Sequence, residues 1–214
     1  MKKTLTAALA GAGLLMSPAL AAPVTGGITA VEVTVDLVGA GVTPGLIGTA
    51  TAVSDDPLTV SFPITGGDLD PATLAGTIEH DGSGLTLAAN GTTVELTDFV
   101  IDTAGSVLSG VVAVAGGPVV GRVDIFTFDL SGLTAEEITD TDAPSISLLL
   151  TELAATTLAD TLGIAALAGL AGAEFGLAGT APDLDVTDPI PLPGAAVLFV
   201  TGAAAFAARR RVSA

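Results

Sequence analysis

The clearest pattern in the chain is strict alternation. Between Ile28 and Val38, the residues Val31, Val33, Val35 and Leu37 share one parity, while Glu32, Thr34 and Asp36 take the other. A period of two predicts a strand with one buried face. Gly39 to Gly45, with Pro44 among its glycines, predicts a turn, and Leu46 to Val53 a second strand ended by Asp55-Asp56-Pro57. Leu58, Val60, Phe62 and Ile64 then alternate with Thr59, Ser61 and Pro63. Pro63 has no N–H for a ladder, so this strand lies at an edge or ends there. Gly66-Gly67 turns the chain again. Leu74 to His80 reads as a strand, Asp81-Gly82-Ser83-Gly84 as a turn, and Leu85 to Ala88 as a strand. Asn90-Gly91 is a strong two-residue hairpin signal. Thr92 to Asp102 returns with Val94 and Leu96 inward, but the apolar parity moves to Phe99 and Ile101 past Asp98, which predicts a bulge. Val107 to Ala115 and Val119 to Leu130 pair across Gly116-Gly117-Pro118. About eight short strands joined by glycine-rich turns predict a mainly β fold, an antiparallel β-sandwich or barrel-like domain.

After Leu130 the period changes. Thr134 to Glu137 is a capping box that opens a short helix. Asp142 and Pro144 read as the cap and first turn of another, and Ile146, Leu149, Leu150, Leu153 and Thr157 fall at helical spacing up to Gly163, a C-cap. Ile164 to Gly179 is rich in Ala, Gly and Leu and takes no clear pattern. Residues 181–189, rich in Pro and Asp, read as a linker.

The two ends differ from everything between them. Lys2 and Lys3 precede an apolar run, Leu5 to Met16, and Ala19-Leu20-Ala21 fits a small-x-small cleavage site, so residues 1–22 read as a signal peptide. At the other end, Gly194 to Ala208 is uncharged and is followed by Arg209, Arg210 and Arg211. As a helix this run would span roughly 22 Å, a short membrane span against a hydrocarbon core of about 30 Å. The three arginines would act as a membrane stop on the cytoplasmic side. The expected organisation is a signal peptide (1–22), a β-rich exported domain with a helical C-terminal part (23–180), a linker (181–189) and a terminal segment (190–214).

Charge sharpens this division. Five of the six Lys and Arg lie in the two ends; Arg122 alone stands among the 23 acids, giving the body a formal charge of −22. Such a surface excludes nucleic acid as a partner, because phosphate binding needs cations. With no cysteine, no disulfide supports the fold.

The order Ile190-Pro191-Leu192-Pro193-Gly194, apolar run and arginine cluster resembles the PEP-CTERM sorting signal, closest to its VPLPA variant, with Ile190 and Gly194 as departures. The resemblance covers residues 190–214. It implies export, a transient stop in the inner membrane, processing by an exosortase-type protease, and a destination at the cell surface or in the extracellular matrix, often with exopolysaccharide. A structural or adhesive, non-catalytic role follows from it.

Gly76 to Thr103, with Gly-Thr-Ile, His80, a Gly-rich segment and an alternating strand, is similar to the HtaA-type domain of haem-binding surface proteins. That resemblance implies a Tyr as iron ligand supported by a His, and His80 falls at the position of that His. The chain contains no Tyr. The resemblance therefore implies an extracellular ligand-binding domain without the haem ligand. On parity with Ile78, His80 points inward.

Other chemistry finds little support in residue type. One His and no Cys are too few for a zinc site, and no G-x-S-x-G elbow occurs. Acids suited to a glycosidase are plentiful, but the Trp and Tyr on which sugars stack are missing. No cofactor is expected beyond calcium, whose candidate oxygen ligands are Asp55, Asp56, Asp68, Asp70, Asp140 and Asp142, with Asp183 and Asp185 similarly spaced.

Overall fold

The computed structural model describes residues 21–186. The strands are β1 (Ala22–Val33), β2 (Thr43–Gly48), β3 (Thr51–Asp55), β4 (Leu58–Pro63), β5 (Gly66–Leu69), β6 (Gly76–Ala89), β7 (Thr92–Asp102), β8 (Val107–Val114), β9 (Val119–Thr127), β10 (Ile146–Leu150) and β11 (Glu174–Leu184). Helix α1 (Ala135–Thr139) precedes β10; helix α2 (Glu152–Leu162) and a 3₁₀ turn, Ala165–Leu170, follow it. The mainly β, antiparallel expectation holds: every strand pairing is antiparallel.

The sheet closes on itself. From β1 the pairing runs through β5, β6, β7, β8, β9, β10 and β11, and β11 pairs back onto β1 from Val24↔Leu184 to Val33↔Gly176. β5 bridges β1 and β6 at one end of the wall, and there it spans only four residues. At the other end the two strands part; β4 and β3 extend from β1, and β2 lies on β6. The result is a barrel-like wall, closed at one end and splayed at the other, around a core that includes Val60, Ile78, Val94 and Ile125.

Several sequence expectations are met. Asn90 (φ 52°) and Gly91 (φ 80°) form the hairpin between the paired residues Ala89 and Thr92, the left-handed pair that such a turn requires. The bulge in β7 falls between Thr97 and Val100, where Asp98 has φ 50°. Thr134 and Glu137 form the capping box of α1, and Gly163 ends α2 in the left-handed region.

Other expectations are corrected. Asp81 to Gly84 is not a turn: β6 runs on from Gly76 to Ala89, and these residues form a bulge between the pairs His80↔Phe99 and Gly84↔Thr97. The Asp98 Oδ1 atom accepts from the Gly82 N–H at 2.8 Å and holds the two facing bulges together. Leu46 to Val53 is split between β2 and β3, which leave in different directions to pair with β6 and β4. Ile146 to Leu150 is a strand, not the start of a helix. Ile146, Leu148 and Leu150 are buried in alternation, and pairing to β11 and β9 outweighs the helical spacing of Leu149 and Leu153. Asp142 therefore caps no helix; α2 is capped by Thr151, whose Oγ1 accepts from the Ala154 N–H. Ala181 to Leu184 is not linker, since it completes β11 against Val24 to Ile28. Pro182 is tolerated because β10 pairing stops at Ala178, leaving one edge of β11 without a ladder.

Helix α2 covers one face of the wall with Ala154, Ala155, Leu158, Ala159 and Leu162. It is tied at both ends: the Thr151 hydroxyl donates to the Asp124 carbonyl (2.7 Å) and Asn90 Nδ2 donates to the Leu162 carbonyl (2.8 Å). Among the described residues no helix is long and apolar enough to cross a membrane. The apolar run at 194–208 and the signal-peptide segment lie outside the described residues, except for its last two positions.

Candidate functional site

The barrel interior holds one polar chain. Thr29 on β1 and Thr180 on β11 are cross-strand partners, and their hydroxyls meet at 2.8 Å. His80 lies on β6, separated from β1 in the strand order by the short β5, and its Nε2 is 2.8 Å from Thr29 Oγ1. The side chains are almost sealed: His80 is 1 % exposed, Thr29 3 % and Thr180 6 %. Parity places them there, since Thr29 alternates with Val31 and Val33, and His80 with Ile78.

Phe62 and Phe99 meet edge to face at 5.4 Å, and both line the cavity that His80 enters. Phe99 has room because residue 110 is Gly, where any Cβ would lie 2.8 Å from the Phe99 ring. In this apolar setting burial pushes the His80 pKa down to about 4, the Phe99 backbone opposing a part of the shift. The imidazole is therefore neutral at pH 7. Its Nδ1 is buried and meets no partner in hydrogen-bond geometry.

The tautomer follows from counting protons. If Nε2 carried the proton, it would donate to Thr29, Thr29 would donate to Thr180, and the Thr180 proton would need a further acceptor. With the proton on Nδ1, Thr180 donates to Thr29 and Thr29 donates to Nε2, leaving Nδ1–H alone incompletely satisfied. The second arrangement strands fewer buried groups and is the favoured one. Ser83, fully buried beside the histidine, turns its hydroxyl to the His80 carbonyl at 3.2 Å and not to the ring. Nucleophile and base are thus not aligned with each other here.

Two cavities adjoin this chain. They measure about 30 and 40 Å³ and share Thr29, Ile101, Leu108 and Leu148 as common wall. The smaller contains His80; the larger runs to α1, where it is lined by Ile138 and the exposed Thr139.

The acidic candidates lie apart from this interior. Asp70 Oδ1 accepts from the Ala72 and Thr73 N–H groups, and Asp140 Oδ1 from those of Asp142 and Ala143. These carboxylates build their own turns. Asp55 ends β3 next to Asp56, and Asp68 lies in β5. Among the described residues, no group of three or more His, Cys, Asp or Glu is arranged to hold a metal ion. The sorting motif Ile190 to Gly194 and Arg209 to Arg211 fall outside the described residues.

No protein-family model matches the chain, and no curated protein matches it. Among solved structures, the C-terminal domain of HtaA from Corynebacterium glutamicum superposes with a TM-score of 0.53 at 16 % identity, over 76 % of this chain and 99 % of that one. The two share a fold. At this identity the likeness is one of architecture, and it meets the fold-level expectation drawn from Gly76 to Thr103.

The haem that the resemblance implies does not fit these residues. The hydroxyl facing His80 belongs to Thr29, on a short side chain held inside the wall. The chain offers no Tyr, and cavities of about 30 and 40 Å³ are far too small for a porphyrin.

Proposed function

We propose that this chain is an exported, non-catalytic protein of the cell surface or extracellular matrix. Its PEP-CTERM-like tail would hold it briefly at the inner membrane, where an exosortase-type protease processes it. Its role is structural or adhesive, in contact with exopolysaccharide. The observation that carries this reading is the segregation of charge: 23 acids and one Arg between two apolar, cationic ends. The barrel adds support, because its hydrogen-bonded polar chain is buried while its acids line turns and outer faces. A dense negative coat keeps such a body soluble and free of non-specific contacts. The test is a graft. Residues 187–214 fused to an unrelated exported protein direct it to the surface or matrix fraction of a host that has the sorting protease, and not in a host that lacks it. Equal distribution in both hosts contradicts the reading.

The second reading is an HtaA-like extracellular ligand-binding domain without the haem Tyr. The shared fold supports it, as does the buried His80 in the lining of the smaller cavity. An absorbance titration with haem tests whether the ligand of this second reading is haem: no Soret shift is expected, and a saturable one would restore haem as the ligand.

A further inference from the structure

The Asn90-Gly91 turn carries a reaction as well as a fold. An Asn followed by Gly is prone to deamidation, because a residue without a Cβ lets its backbone nitrogen reach the preceding side-chain amide. Asn90 is the chain's single Asn, and there is no Gln, so it holds the one side-chain amide of the molecule. Both turn residues are exposed, and the position that a Gly91 Cβ would take has nothing within 4 Å. The same amide is the clasp on α2: Nδ2 donates to the Leu162 carbonyl at 2.8 Å and lies 3.5 Å from that of Gly163. These carbonyls belong to a helix end, where intrahelical donors run out.

We propose that Asn90 is a site of spontaneous deamidation and that the reaction is a one-way latch on the C-terminal end of α2. The Gly91 nitrogen attacks Asn90 Cγ; the Cγ–Nδ2 bond breaks, and ammonia leaves with the Gly91 proton. Water then opens the succinimide ring, leaving an aspartate or an isoaspartate at position 90. Water is consumed, ammonia is released, and nothing is oxidised or reduced. The clasp controls the first step, because the amide must leave the Leu162 carbonyl before Cγ can turn to the Gly91 nitrogen. The product cannot return to the clasped state: an ionised carboxylate only accepts, and it would face two carbonyl oxygens with no proton between them. Leu162, 1 % exposed, and the 3₁₀ turn that follows it then lose their tie to the hairpin. The other end of α2 keeps its own tie, from the Thr151 hydroxyl to the Asp124 carbonyl. This inference is independent of where the tail takes the chain, and neither outcome of the graft bears on it.

With one side-chain amide in the chain, the test has a site-specific signal. Purified full-length protein is aged at mildly alkaline pH beside an unstructured synthetic peptide of residues 85–96, and both are followed by mass. The expected result is a gain of one mass unit, mapped to Asn90, about fivefold slower than in the peptide because one hydrogen bond must first open. The reacted chain carries an additional negative charge and is separated from the unreacted one by ion exchange. Amide hydrogen exchange from Ala159 to Leu167 is then about tenfold faster in the reacted form, with that of β8 unchanged. Asn90→Asp reproduces the faster exchange without ageing, and Asn90→Gly never gains the mass. If Asn90→Asp does not fold, the aged chain decides alone. A folded chain still unmodified after ageing about twentyfold longer than the peptide needs, or one that reacts while the end of α2 exchanges as before, overturns the proposal.

Discussion

Asn90 donates its side-chain amide to the Leu162 carbonyl at 2.8 Å, joining a hairpin tip to the last turn of a helix 72 residues away. One residue thus serves two demands: its backbone takes φ 52° in the turn, and its side chain satisfies a helix-end carbonyl. The two are separable. Asn90→Gly keeps the turn and loses the cap, lowering stability by about 1 kcal/mol. Asn90→Ala loses the cap and strains the turn, for a total of about 2 kcal/mol. Chemical denaturation measures both, and equal losses would show that only one of the two roles matters.

The buried imidazole makes stability depend on pH in a defined window. His80 titrates near 4 in the fold and near 6.5 when unfolded, so the unfolded chain takes up the proton first. The contribution is complete above pH 6.5, falls as the pH drops towards 4, and is gone below that. The difference amounts to about 3 kcal/mol. His80→Leu removes this slope between pH 6.5 and 4 while leaving that of the carboxylates. An unchanged slope in the variant would mean that the ring is solvated or already charged.

Asp98 is the hinge pin of the facing bulges. Its Oδ1 accepts from the Gly82 N–H, its carbonyl accepts from Arg122 Nη1 at 2.8 Å, and its φ is 50°. Asp98→Asn retains an acceptor and tolerates the left-handed backbone, so it costs under about 1 kcal/mol. Asp98→Ala loses both and costs about 2 kcal/mol. Thermal melts of the two variants test the order.

Asp70 acts through its own turn. Asp70→Ala lowers stability by about 1 kcal/mol, because the Ala72 and Thr73 N–H groups lose their acceptor. The loss is the same with added calcium and with chelator. A difference between the two conditions would show that Asp70 ligates calcium.

The wall was legible where local signals agree. Asn90-Gly91, the parity shift at Asp98 and the Thr134–Glu137 box each depend on neighbouring residues, and each appears as read. What the sequence hid depends on distant partners. Ile146 to Leu150 fits both periods, and only pairing with β11 and β9 decides for strand. Asp81 to Gly84 has the composition of a turn, and becomes a bulge because Asp98 faces it. His80 was legible as inward-facing by its parity. Thr29 carries a signal in the sequence, a hydroxyl on the parity of Val31 and Val33. Thr180 carried none, lying in an Ala- and Gly-rich stretch whose strand forms only against β1 and β10.

The proposed address lies in the tail, and deletion of residues 190–214 tests it directly. Cells expressing the full and the shortened chain are fractionated into membrane, surface-matrix and medium, and the mass of each product is measured. The expected result is that the full chain reaches the surface matrix in trimmed form, while the shortened chain leaves that fraction and appears in the medium or periplasm. The same fraction, holding both chains without trimming of the full one, would contradict it.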